Sequence, residues 1–104
     1  MRELCSSSDV PEGTSKGFKI SESNIFIVRR DGAVYCYENT CPHLGIPLEW
    51  KPDAFLDAEG ELIQCSTHGA LFIISSGECV SGPCVGNYLT PLDVLEQDGT
   101  VFLV

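Results

Sequence analysis

The stretch IFIVRR-DG-AVYCYE, residues 25–38, constrains the chain more than any other. Apolar and polar side chains alternate on either side of Asp31-Gly32, and that dipeptide supplies the positive φ angles of a two-residue hairpin turn. A second Asp-Gly, at 98–99, separates strand-like runs over 91–96 and 100–104. The same pattern places further strands near 17–20, 62–65, 70–74 and 78–80. Ten glycines and six prolines, spread along the chain, suit short strands and tight turns and leave little room for long helices. At 104 residues the chain fits one domain, 1–104, able to bury roughly two-thirds of its unfolded surface but too small for a second module. The expected fold class is all-β, built of antiparallel hairpins.

A formal charge of -9 argues against nucleic acid or an anionic membrane as a partner, since both are polyanions. A basic protein partner fits better. The N-terminal MRELCSSSDVPEG has no apolar stretch of the signal-peptide kind, and the longest apolar run, 70–74, is far too short for a membrane span. The expectation is a cytoplasmic protein, monomeric in isolation, with reduced thiols.

Residues 46–62, IPLEWKPDAFLDAEGEL, carry five acids against one lysine together with Pro47, Pro52 and Gly60. They read as a solvated surface loop with one short helical turn over 53–58, in which Trp50 anchors the segment. Cys36 alternates with Tyr35 and Tyr37 and reads as a small buried apolar side chain.

Only two histidines occur, and each stands beside a cysteine: CPHLG at 41–45 and CSTHG at 65–69. Both pairs fall at strand ends, where loops carried on rigid hairpins hold chemistry. Six cysteines would also allow a secreted disulfide framework, but both histidines lie next to cysteines and no export signal is seen. Two thiolates and two imidazoles suit zinc or the irons of an iron–sulfur cluster. Zinc modules of the Cys2His2 kind run Cys, Cys, His, His; here the order is Cys-x-His, then Cys-x2-His. A 2Fe-2S cluster with one sulfur-bound and one nitrogen-bound iron needs one cysteine and one histidine from each of two facing loops. Gly45 and Gly69 would let backbone amides approach the cluster.

These motifs resemble those of the Rieske iron–sulfur proteins, whose signature is Cys-x-His in one loop and Cys-x-x-His in a second. The likeness extends through HGALF and SGPC, residues 81–84, which is similar to the family's proline-bearing loop over the cluster. The resemblance implies small stacked antiparallel sheets with cluster-binding loops at about 40–48 and 64–70 at one end, covered by a loop at about 81–84. It also implies one 2Fe-2S cluster per chain, with Cys41 and Cys65 on one iron and His43 and His68 on the other. Cys79 and Cys84 flank the covering loop, as thiols or, under oxidation, as a disulfide.

Two thiolates cancel the charge of two ferric ions and two sulfides, so an added electron enters a neutral site. Histidine ligation accordingly raises the potential to about -150 to +300 mV, against about -400 mV for plant-type ferredoxins. Rieske subunits that oxidise quinols carry two extra loop cysteines and two hydroxyl donors near the cluster; the matching positions here are Ile46 and Thr67, and Ala70 and Phe72. A potential toward the negative end of the range follows. The chain is too short to hold the mononuclear iron of a ring-hydroxylating oxygenase. The resemblance therefore implies an electron carrier, not an enzyme, working between a ferredoxin reductase and a terminal oxygenase. The alternatives are a small subunit of an assimilatory nitrite reductase and, less favoured, a structural zinc module.

Overall fold

The computed structural model describes residues 2–20, 23–42, 45, 47–49, 51–66 and 69–104. The elements are β1 (Arg2–Ser6), a 3-10 turn (Ser7–Asp9), β2 (Ser15–Ile20), β3 (Ser23–Arg30), β4 (Ala33–Glu38), β5 (Leu62–Gln64), β6 (Leu71–Ile73), β7 (Cys79–Ser81), β8 (Pro91–Leu92), β9 (Val94–Gln97) and β10 (Thr100–Leu103). They form three antiparallel sheets: β1-β10-β9, β2-β3-β4-β8 and β5-β6-β7.

The Asp31-Gly32 hairpin forms as the sequence predicts. Both turn residues take positive φ, 53° and 79°, and Arg30 pairs with Ala33 across the turn. The Glu12 carboxylate accepts the N–H groups of Asp31 and Gly32 at 2.6 and 2.8 Å, and these two bonds hold its carboxyl below the usual range. Asp98-Gly99 repeats the turn between β9 and β10, with φ of 52° and 79°.

In β3, Ile25, Phe26, Ile27 and Val28 are all buried, because the central sheet is covered on both faces. Phe26 and Val28, with Tyr37, join the core shared with the β5-β6-β7 sheet and the two Cys/His loops. Ile25 and Ile27, with Cys36, join a second core with Cys5, Val10 and Val101 on the side of β1 and β10. The register agrees, since Phe26 pairs with Tyr37 and Ile27 with Cys36. Burial pushes the Cys36 thiol up to about 12, so this side chain stays neutral and packs as an apolar group.

Three sequence expectations need correction. The run 91–96 is not one strand. Residues 91–92 pair with β4 in the central sheet, the chain steps out at Asp93, and Val94–Gln97 pairs with β10 in another sheet. Pro91, which cannot donate a hydrogen bond, stands on the short edge strand of the central sheet. Strand β1 was not predicted, because RELCS lacks a β-branched pattern and is held by its pairing with β10.

The helical turn expected over 53–58 is absent. Residues 55–57 run antiparallel to 62–64, with Gln64 N–H donating to Phe55 O, Asp57 N–H to Leu62 O, and a Leu56–Ile63 bridge. Asp57 accepts the N–H groups of Glu61 and Leu62 and so stabilises a bend instead of a helical turn. Nor is the segment merely solvated: Leu48 and Phe55 are fully buried, and the Phe55 ring stacks on Phe26 at 4.3 Å and 6°. Asp53, in the left-handed region at φ 65°, fastens the segment to β2 by accepting Gly17 N–H at 2.7 Å. Among the described residues no helix is long and apolar enough to cross a membrane.

Candidate metal centre

Cys41 lies three residues beyond β4, and Cys65 directly follows β5. Their exposures are 1% and 0%. Each cysteine carbonyl accepts a hydrogen bond from the glycine four residues later. Gly45 N–H donates to Cys41 O at 2.7 Å, and Gly69 N–H donates to Cys65 O at 3.0 Å. Both glycines are left-handed, at φ 71° and 64°, and a side chain at either would be strained although nothing among the described residues stands within 4 Å of the position it would fill. Two such i to i+4 bonds, each with a buried cysteine at its start and a left-handed glycine at its end, thus border one core.

The two loops are tied directly. Ser66 N–H, one residue past the second cysteine, donates to Leu48 O of the first loop at 2.9 Å, while Cys65 N–H closes the second loop on itself by donating to Ala70 O at 2.8 Å. Asn39, 6% exposed, fixes the first loop from beneath. Its side-chain oxygen accepts Leu48 N–H at 2.8 Å, its amide donates to Glu49 Oε1 at 2.7 Å, and its backbone N–H donates to Asn24 O on β3. A buried amide satisfied on both sides specifies one loop position, because any other leaves a polar group unpaired.

Residues 81–87 form the third wall. Gly82, at φ 94°, lies against the second loop so closely that a Cβ there would stand 2.9 Å from Ala70 Cα. Ser81, Gly82 and Pro83 are exposed while Cys84 is fully buried, its Sγ 3.7 Å from Cys41 Sγ. Cys79 turns elsewhere, its thiol donating to Ser81 O at 3.3 Å. No disulfide joins any of the six cysteines, Cys79 and Cys84 included. Val80, Val85 and Tyr88 are exposed by 45%, 62% and 58% along this covering segment.

Of the four predicted ligands, Cys41 and Cys65 are brought to adjacent loops in one core. His43 and His68 lie outside the described residues, as do Ile46, Trp50 and Thr67, so the expectations resting on those positions fall there too. Among the described residues no three ligating side chains gather. Ala70 and Phe72, the positions matched to hydroxyl donors, are fully buried. Sequence reasoning missed Asn39, whose only signal was a polar residue between a strand and Cys41. It placed Cys84 beside Cys79, and nothing in the spacing pointed to Cys41.

The donor set suits iron and sulfide: two soft sulfurs, both buried, each at the start of a short loop. Such loops on a three-sheet antiparallel fold define a small iron–sulfur protein. The chain belongs to the Rieske [2Fe-2S] domain family, whose profile matches residues 1–97, and its cofactor is a 2Fe-2S cluster.

The cytochrome b6-f complex iron-sulfur subunit of Chlorobaculum thiosulfatiphilum is 36% identical over 73% of this chain and 38% of its own length. The chain therefore spans well under half of that relative. Ferredoxin CarAc of Metapseudomonas resinovorans is 29% identical over 97% of this chain and 90% of its own. A solved chain from the complex of reduced oxygenase and oxidised ferredoxin in carbazole 1,9a-dioxygenase superposes with a TM-score of 0.80 at 27% identity, covering 98% of this chain and 99% of that one.

Proposed function

We propose that this chain is a Rieske ferredoxin, one domain over 1–104, that carries single electrons from a ferredoxin reductase to a terminal oxygenase. Cys41 and Cys65 hold one iron, and His43 and His68 the other. The observation that carries the reading is the pair of buried cysteines, each bonded through its carbonyl to the glycine four residues on, on a fold shared over 98% of its length with a chain of an oxygenase–ferredoxin complex. When bound, the cluster accepts and releases one electron at a time. The chain's own residues do the rest. Asn39 and Ser66 hold the two loops in register, Leu48, Phe72 and Cys84 bury the sulfurs, and Gly45 and Gly69 bond back to the cysteine carbonyls.

Relatives of two kinds match, and the residues favour the carrier. Positions at which quinol-oxidising Rieske subunits have loop cysteines and hydroxyl donors hold Ile46, Thr67, Ala70 and Phe72. Exposed Val80, Val85 and Tyr88 offer a protein partner apolar contact beside Cys84, and the charge of -9 favours a basic partner surface in the cytoplasm.

The test is anaerobic reconstitution followed by dithionite reduction. A rhombic paramagnetic signal from a histidine-ligated 2Fe-2S centre is expected, lost or altered in His43→Ala and His68→Ala. The reduced protein should then pass one electron to an oxygenase of the carbazole or naphthalene type in rapid mixing. A centre with zinc in place of iron would sink the ligand reading. A loaded protein that reduces no such oxygenase would sink the assignment of partner.

A further inference from the structure

We propose that the thiol of Cys84 donates a hydrogen bond to the sulfur of Cys41 and by doing so raises the reduction potential of the centre. This rests on Cys41 being an iron ligand. The two sulfurs lie 3.7 Å apart, within reach of an S–H···S contact, and exposures of 0% and 1% leave no water to compete. Geometry alone allows either sulfur to donate. Chemistry removes the choice, because a metal-bound cysteine is a thiolate and has no proton to give. Cys84 is the donor.

The position of Cys84 is set from both ends. Gly82 rests on the backbone of Ala70, and Cys84 O accepts Asn87 N–H at 2.8 Å. Asn87 O in turn accepts Cys79 N–H at 3.0 Å, which closes the covering segment onto β7. Cys79, the other thiol of the segment, is committed to Ser81 O. A donor held on a ligand sulfur gains strength as that sulfur takes on negative charge, so it favours the reduced state, and the dry surroundings enlarge the effect. With Ala70 and Phe72 unable to donate from their side chains, a weak thiol donor replaces hydroxyls as the adjustable contact. Cys84 is a positioning residue that acts through Cys41.

The experiment is protein-film voltammetry on the reconstituted full chain and on Cys84→Ser, Cys84→Ala and Cys84→Val, with iron and acid-labile sulfide measured in each. Serine keeps a donor, while valine fills the space without one. Alanine and valine are expected to lower the ratio of reduced to oxidised centre at a fixed potential at least threefold. At 59 mV per tenfold for one electron, that is a fall of about 28 mV. Serine should hold the wild-type midpoint or exceed it. Equal midpoints in wild type, alanine and valine would overturn the proposal, and so would a serine variant that falls as far as valine, which would mark the effect as packing. A wild-type chain that takes up no iron and sulfide overturns the ligand assignment, and the hydrogen bond with it. That failure is read from metal content and not from potential.

Discussion

The side-chain oxygen of Asn39 accepts the backbone N–H of Leu48 at 2.8 Å, across the eight residues that contain Cys41 and His43. One amide, fixed to β3 by its own backbone, thereby sets where the first loop returns to the core. Asn39→Ala leaves the Leu48 N–H without its partner, and a buried unpaired donor costs about 1–3 kcal/mol. Urea unfolding should show that loss, accompanied by faster bleaching of the visible spectrum. An unchanged bleaching rate would mean that loop 1 is held by other contacts.

Phe55 contributes from outside the loops. Its ring stacks on Phe26 beneath the same core, and Phe55→Ala should cost about 3–5 kcal/mol in thermal or denaturant unfolding. Phe55→Leu, which retains most of the volume, should cost about half as much or less. Equal losses would argue that the stacked geometry matters more than burial.

Ala70 and Phe72 are buried in the core that contains both cysteines and lack side-chain donors. Ala70→Ser and Phe72→Tyr each add a hydroxyl there. A hydrogen bond worth about 1.4 kcal/mol to the reduced state would raise the midpoint by on the order of 60 mV for one electron. Voltammetry of the two variants, alone and together, checks this, and no shift in either would discredit the role of hydroxyl donors in this protein.

Arg29 on β3 meets Glu96 on β9 with two hydrogen bonds, 2.6 and 3.1 Å, that tie the central sheet to the one beside it. The guanidinium holds the Glu96 carboxyl below its ordinary range and is itself shifted upward. A carboxyl with a lowered folded pKa contributes stability that is fully present above its unfolded value, near 4.3, and that is lost as the pH falls through the folded value. Glu96→Gln should therefore be less stable than wild type at pH 7, by less than about 1 kcal/mol for so accessible a pair, with the difference shrinking below about pH 4. A difference independent of pH would show that shape, not charge, joins the sheets.

Electron transfer to a basic partner should slow as salt rises, because a net charge of -9 accelerates encounter only while it is unscreened. Stopped-flow rates at low and high ionic strength give the measurement. A rate indifferent to salt would point to the exposed Val80, Val85 and Tyr88 as the dominant contact.

Much of the architecture was legible in local chemistry. Asp31-Gly32 and Asp98-Gly99 each specify a hairpin because few dipeptides accept two positive φ angles, and both form. The family was legible in the paired motifs that begin at Cys41 and Cys65, whose residue types and spacing few other sequences share. What escaped depended on distant partners. The break at Asp93 follows from two sheets competing for one run of strand-forming residues, and periodicity within the run carries no trace of it. In the acidic segment, charge density suggested a solvated loop, while two apolar residues, Leu48 and Phe55, decided its course. Cys84 and Cys41 are 43 residues apart, and their contact exists only once Gly82 has come to rest on Ala70.

Strand β3 faces two interiors at once, giving Phe26 and Val28 to one and Ile25 and Ile27 to the other. The two cores thus share one strand. Ile27→Ala, on the side remote from Cys41 and Cys65, should therefore weaken the strand that both cores share and give earlier release of iron from the reconstituted protein on warming.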